Sequence, residues 1–487
     1  MKTWNQTRRL LAIAALLLLG ACSGSGGMDS TTNSVTTSQP IVAMGTISGF
    51  GSVFVNGVEF STASANITID GRRGSESELR VGQVVRVSGR IDADGRHGTA
   101  TSIDFDDAVE GPVASIDAAA GTLVVLGQTV KVDATTSFDD NLQPASLAGI
   151  AVGMVIEVSG MRDAQGVIHA TRIEAKAANA QVEVTGEVAN LDEAAKRFDI
   201  GTLTVDYSAA QLDDLPGGVP ANGLTVEAKG TLDANGVLLA TRIEGKQQDM
   251  PGDDDDQAKL EGLITRFVSA TDFDVNGQAV TTSANTEFER GTSADLALNV
   301  RVEVEGELLN GVVQATKVEF ENEADVRLSG QVASVDATAG TFMVMGISVQ
   351  TNAQTRFEDK TDARLRPFNV GSLQVGDFVE VRGSAGTGNG ILAQRVERED
   401  ADQRNDQVRV RLRGVAADVA QPQFTILGVT VLTNADTEFE NEAEASIDAA
   451  TFFAQAAGRS VQADGTFDGT TLVAHEVELE GEDEMDD

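Results

Sequence analysis

The sequence predicts an all-β protein, a tandem array of about six small five-stranded OB-like barrels behind an N-terminal leader and a flexible tether. Two observations carry this reading. The first is a hairpin, Val155-Ile156-Glu157-Val158-Ser159-Gly160 and Val167-Ile168-His169-Ala170-Thr171-Arg172-Ile173-Glu174 around an Asp163-to-Gly166 turn, with the β-branched runs and Asp/Gly punctuation of two paired strands. Versions of it return at 85–104, 226–244, 302–319, 379–397 and 461–478. The period of about 65 to 85 residues fits small tandem domains better than solenoid repeats. The second is what precedes each hairpin. In the second unit, strand-like runs at Val109 to Ile116, Thr122 to Leu126 and Gln128 to Val132 lead to Thr136-Ser137-Phe138 and a looser Leu- and Ala-rich stretch. Three strands, an excursion and two strands is the order of an OB-like barrel.

Taken in order, residues 1–22 read as a lipoprotein signal peptide: a basic start at Lys2, Arg8 and Arg9, an apolar run from Leu10 to Leu19, and a small-residue exit, Leu19-Gly20-Ala21-Cys22. That ending resembles the bacterial lipobox, which implies cleavage ahead of Cys22 and acylation of the cysteine with palmitate-type chains. Ser23 in the next position implies sorting to the outer membrane. Arg8-Arg9 also permits twin-arginine export, although a plain basic start is the simpler reading. Residues 23–40, rich in Ser, Gly and Thr, read as a flexible tether. No later apolar run approaches membrane-spanning length, so the lipidated N-terminus is the expected membrane contact.

The units are expected at 41–106, 107–177, 178–246, 258–321, 322–398 and 404–481, each owning a core. Residues 247–257 form an acidic linker with a Pro251-Gly252 step, expected to divide the array in two, and 482–487 form an acidic tail. In the fourth unit Val300, Val302 and Val304 alternate with Arg301, Glu303 and Glu305, which reads as one core face and one solvated, charged face. Ala170 and Ile173 stand an odd number apart and share a face only if a bulge intervenes. The sixth excursion, Glu442 to Ala456, lacks Gly and Pro and is expected to be helical.

Composition narrows the function. Against 75 acidic residues stand 36 basic ones, a net charge of −39, and loss of the leader's Lys2, Arg8 and Arg9 deepens it. Such a surface repels phosphate, so nucleic acid is not an expected partner. The single cysteine, Cys22, and the single tryptophan, Trp4, both lie in the leader, leaving a mature body without disulfide or thiol chemistry. With Tyr207 the only tyrosine, the stacking platforms of sugar and single-strand binders are scarce.

Candidate chemistry is sparse. His97, His169 and His475 occupy unmatched positions, with no ligand spacing and no nucleophile in register. Asp92-Ala93-Asp94-Gly95 resembles half of a calcium loop but lacks its later glutamate. Asp253, Asp254, Asp255 and Asp256 are weak metal candidates that could collect divalent cations loosely; a solvating linker is the plainer reading. Phe138, Phe288, Phe357 and Phe439, in a recurring Thr-x-Phe, read as core plugs in preference to a ligand stripe. Arg172, Arg242, Lys317 and Arg395 stand two residues before a glutamate, which predicts ion pairing, with an anion-reading stripe as the alternative.

The Val-x-Val-x-Gly strand, the Asp-x-x-Gly turn and the Ala-Thr-Arg-Ile-Glu close (Ala170 to Glu174, Ala240 to Glu244) resemble a bacterial domain-of-unknown-function family of OB-like repeats, found in tandem in secreted lipoproteins. The resemblance covers nearly the whole body and carries over no catalytic or binding residue. The third and sixth units depart most, lacking the Val-Gly step of Val81-Gly82, Val152-Gly153 and Val375-Gly376. The expected function is non-enzymatic and without cofactors. The chain reads as a lipid-anchored outer-membrane protein, its body periplasmic or on the cell surface, a scaffold or spacer offering acidic faces to a cationic envelope protein or calcium. The alternative is an envelope module binding an oligosaccharide, peptidoglycan or a divalent cation.

Overall fold

The recurring hairpin closes each barrel, and its glycine explains how. Opposite Gly160 the closing strand Ile168–Ala175 gains one residue: Ser159 faces Arg172, Gly160 faces Ala170, and Thr171 is bulged out between them. Ala170 and Ile173 therefore both reach the core, at 2% and 0% exposure, which the bulge alone permits. The same slip occurs at Gly89, Gly230, Gly306, Gly383 and Gly465. At all six glycines an added Cβ would lie under 3.0 Å from the carbonyl oxygen preceding the partner alanine, so the position excludes side chains. Bulged threonines anchor the kink: the hydroxyls of Thr101, Thr241 and Thr316 donate to the carbonyls of Ser88, Lys229 and Glu305.

Around this hairpin the chain forms a closed ring. In the second barrel the first strand, Val109–Asp117, pairs with Thr122–Val125 and with the fourth strand, Val155–Arg162, both antiparallel. The third strand, Gln128–Lys131, then runs parallel to the closing strand, joining the two ends of the sheet. The Thr-x-Phe segment adds a short parallel clasp in which Phe138 stands opposite Ile173 and the Thr136 hydroxyl donates 2.7 Å to the Ala170 carbonyl. Equivalent hydroxyl bonds come from Thr286, Thr355 and Thr437. Phe138, Phe357 and Phe439 are buried and Phe288 packs half-buried on its core, so these residues are plugs; each full burial is worth roughly 1.5–3 kcal/mol. The excursion before the fourth strand is a single 3₁₀ turn in four barrels. It is helical in the sixth, Ala449–Gln455, where the Asp448 carboxylate accepts the Thr451 N–H as an N-cap.

The computed structural model describes residues 38–178, 181–246, 250–321, 324–400, 403–404, 407–442 and 445–481. The leader with Cys22, the tether to residue 37, linker residues 247–249 and the tail 482–487 lie outside them. Among the described residues no helix is long and apolar enough to cross a membrane.

The barrels associate as pairs. First strands of the second and third barrels lie side by side, Val109 opposite Val184, and those of the fifth and sixth do likewise, Leu328 opposite Leu412. The acidic linker does not divide the array, contrary to the sequence expectation. The first barrel pairs in parallel with the fourth, Ile41 to Met44 against Gln257 to Leu260, and places Val42 in the fourth barrel's core. Nor does every unit own its core, since the second and third share one apolar cluster and the fifth and sixth another. A strand edge left unpaired is a liability, and these pairings cover the first-strand edges with each other.

Candidate functional site

The residues singled out from sequence are mostly used by the turns themselves. Asp94 accepts the N–H groups of Arg96 and His97 and contacts the His97 ring at 2.6 Å, so backbone hydrogen bonds, before the histidine, hold its carboxyl down at about 2. Asp163 receives Gln165 and Val167 in the same manner and reaches His169 at 3.2 Å. His97, His169 and His475 sit on three separate closing strands. Asp253 to Asp256 make the turn into the fourth barrel: Asp256 caps the Asp253 N–H and Asp254 accepts from the Asn310 N–H at 2.6 Å. The recurring cations do pair with the glutamate two residues on: Arg172 with Glu174 at 2.6 Å, Arg242 with Glu244 at 3.3 Å, Lys317 with Glu319 at 2.8 Å, and Arg395 with Glu397.

Two of these arginines also leave their own barrel. Arg172 donates to the Val81 carbonyl of the first barrel at 3.1 Å and approaches Glu358 of the fifth; Arg395 donates to the Thr136 carbonyl of the second at 2.7 Å. Arg356, Arg382 and Lys360 of the fifth barrel likewise reach the carbonyls of Thr171, Ala134 and Phe138. Arg366 stacks 3.4 Å over the Phe50 ring and donates to Glu76 of the first. The fifth barrel is thereby fastened to the first and second by guanidinium and ammonium groups, donors whose several N–H bonds suit a row of carbonyls.

One sequence expectation is overturned here. Glu303 does not lie on a solvated face: it is 1% exposed, because the fifth barrel covers that face and Gln354 donates to it at 2.6 Å. Burial pushes its carboxyl up to about 8 against that hydrogen bond. Glu305, half-buried, pairs with Lys259 at 3.0 Å.

Among the described residues the densest carboxylate site lies where the first three barrels meet. Glu174, Glu157, Glu110 and Glu183 occupy successive cross-strand positions over four neighbouring strands. Asp107, in the joint between the first and second barrels, and Asp70, just after the first barrel's clasp Asn66–Ile69, close on this row. Carboxylate oxygens of Asp70, Asp107 and Glu183 lie within 4.8 Å of one another, and so do those of Asp107, Glu110 and Glu157. Lys229 pairs with Glu183 at 2.7 Å, and Lys176 with Glu157. Lys246 faces Asp106 at 3.2 Å and Glu227 at 3.4 Å. Burial, with Glu227 beside it, raises the Glu183 carboxyl, and the Glu227 carboxyl is held down despite its own burial by the bond from Glu183 and by Lys246 and Lys229. Burial first, then the charges of Glu183, Glu157, Asp70 and Glu110, drives the Asp107 carboxyl well up. A cleft of about 200 Å³, lined by Asp70, Arg72, Glu78, Glu157 and Lys176 among others, opens onto the cluster.

Sequence reasoning missed this site. Its one early signal is Glu at the same alternating position in strands that turn out to be neighbours, Glu110 and Glu183, a like-charge juxtaposition that a sheet ordinarily avoids. No curated protein matches the chain. A model of a domain of unknown function, DUF5666, matches residues 42–104, 110–174, 179–244, 261–319, 329–397 and 413–478. Those segments cover most of the sequence, each spanning one barrel, and the chain belongs to that family, carrying its domain six times in tandem.

Proposed function

We propose that this chain is a non-enzymatic cell-envelope lipoprotein, anchored through Cys22, whose six barrels form a scaffold presenting acidic faces to cationic protein partners. The observation that carries this reading is the acidic excess left outside once the buried charges are set aside. Arg172, Arg356 and Arg395, each at most 6% exposed, are turned inward to fasten one barrel to another. Ten carboxylates are buried against four cations among the described residues, and in a chain of net charge −39 the balance left outside is still strongly acidic. Such a field steers and retains cationic ligands and weakens with salt.

Two measurements test it. Cys22→Ser is expected to move the protein from the membrane fraction to the soluble one, and retention in the membrane would sink the anchor. The Cys22→Ser chain, immobilised and offered envelope extract, is expected to hold basic proteins at low salt and release them at high salt. Capture that ignores salt, or no capture, rejects the acidic scaffold.

A further inference from the structure

We infer that Asp70, Asp107, Glu110, Glu157 and Glu183 form a binding site for a divalent cation of the calcium class, held at the junction of the first three barrels. The argument starts at Asp107. Its side chain is 2% exposed, and neither carboxylate oxygen has a hydrogen-bond partner. Both carboxylate triads contain it, so it is aimed into the cluster. A buried carboxylate without a donor costs several kcal/mol, roughly, and native interiors resolve that cost with a donor, a proton or a metal ion. Here the carboxyls of Glu183, Glu157, Asp70 and Glu110 bear on it, and the lysines of the cluster, Lys229 and Lys176, are paired with Glu183 and Glu157.

The chemistry of the donors selects the ion. All five are carboxylates, with no histidine or cysteine, which favours a hard cation over zinc. Calcium takes about six to eight oxygens at roughly 2.3–2.6 Å, so ligands on opposite sides of one ion stand about 5 Å apart. In each triad the oxygens lie within 4.8 Å of one another, inside that dimension. The cleft lined by Asp70 and Glu157 gives the ion a path from solvent and room for water ligands. Binding would draw on side chains of three barrels at once: Asp70 from the first, Glu110 and Glu157 from the second, Glu183 from the third, with Asp107 in the joint. The ion would join barrels whose facing carboxylates otherwise repel.

The site is tested on the purified full chain with no partner present, so its outcome is separate from that of the scaffold reading. The chain is stripped with EDTA and dialysed to equilibrium against radioactive calcium alone, with magnesium as competitor. We expect one saturable calcium per chain, about tenfold or more weaker in Asp107→Asn, and unchanged in a double Asp253→Asn, Asp254→Asn chain. Absence of saturable uptake, uptake undiminished by Asp107→Asn, or preference for magnesium each overturns the assignment. Should circular dichroism show Asp107→Asn unfolded, Glu110→Gln and Glu157→Gln decide by the same criterion.

Discussion

Two seams of this molecule have the same geometry and opposite charge. Where the second barrel meets the third, the row across the sheet is Glu174, Glu157, Glu110, Glu183; where the fifth meets the sixth, it is Arg395, Arg382, Arg327, Arg413. The basic seam is answered within the protein. The next row supplies Glu397 and Glu380 on the same strands and Asp464 on the strand beyond, Ser460–Phe467, and Glu380 alone takes Arg327 at 2.5 Å and Arg382 at 2.7 Å. Arg411 pairs with Asp464 at 3.0 Å. The acidic seam has three lysines at its margins but gains Asp70 and Asp107 at its centre. Glu380 is held down at about 2 by Arg382 and Arg327 despite its burial, whereas burial and like charge drive Asp107 the other way. Facing like charges are tolerated in a sheet when the adjacent row carries the opposite sign, and beside the acidic seam that row offers Arg172, which is paired with Glu174 at the end of the row.

The sharpest break of this comparison is Glu380→Ala. It removes the buried carboxylate shared by two half-buried guanidiniums, and the cost expected is up to about 3–5 kcal/mol, read as a lower midpoint in guanidinium denaturation. Loss below about 1 kcal/mol would mean that the arginine row is neutralised elsewhere.

Next comes a site between the extremes, Glu303, whose partner is a neutral amide. Below its ordinary value of 4.5 it is protonated in both the folded and unfolded chain. Between 4.5 and about 8 the unfolded chain gives up the proton first, so stability falls as pH rises and levels off above that window. Glu380 behaves oppositely, its stabilisation being present above 4.5 and lost as pH falls towards about 2. Glu303→Gln is expected to gain on the order of 3 kcal/mol over wild type as pH is raised through this window, measured by thermal unfolding at the two ends. Parallel pH curves for the two proteins would show that Glu303 is solvated after all.

A third pair of variants separates charge from backbone. Gly160→Ala and Gly383→Ala put a methyl against the carbonyls of His169 and Leu392 in the acidic and basic halves respectively. Each is expected to cost about 2 kcal/mol, alike in both, because the obstacle is the bulge. A difference much larger than that would tie the bulge to its charged surroundings.

Much of each barrel was legible in the sequence because a barrel's inside is apolar and its outside is not. The alternation at Val302 and Val304, the plugs at Phe138, Phe357 and Phe439, and the need for a bulge between Ala170 and Ile173 all follow from which side chains face inward. The arrangement of barrels was not legible, for the same reason. The junctions are built from arginines, carboxylates and backbone carbonyls, so a face covered by another barrel carries the same polar pattern as one facing water. Glu303 reads as solvated for that reason, and Asp107 reads as a residue of a joint. The pairing of the first barrel with the fourth left no trace either, since Ile41 to Met44 would be apolar in any first strand.

The smallest expected effect distinguishes the two seams most directly, because it changes sign. Glu110 sits at the middle of the acidic row, with Glu157 opposite on one side and Glu183 on the other. Burial raises its carboxyl, with Lys176 and Lys229 opposing. In the presence of EDTA, Glu110→Gln takes one like charge out of the row and is expected to stabilise the chain by about 1 kcal/mol. With saturating calcium the same charge becomes a ligand, binding stabilises the wild type by mass action, and the order of the two thermal midpoints reverses. If the variant is the more stable under both conditions, the acidic row is simply a repulsive seam held together by the shared apolar core beneath it, and calcium has no place there. Reversal would mean that the missing opposite charge is supplied by an ion from solution.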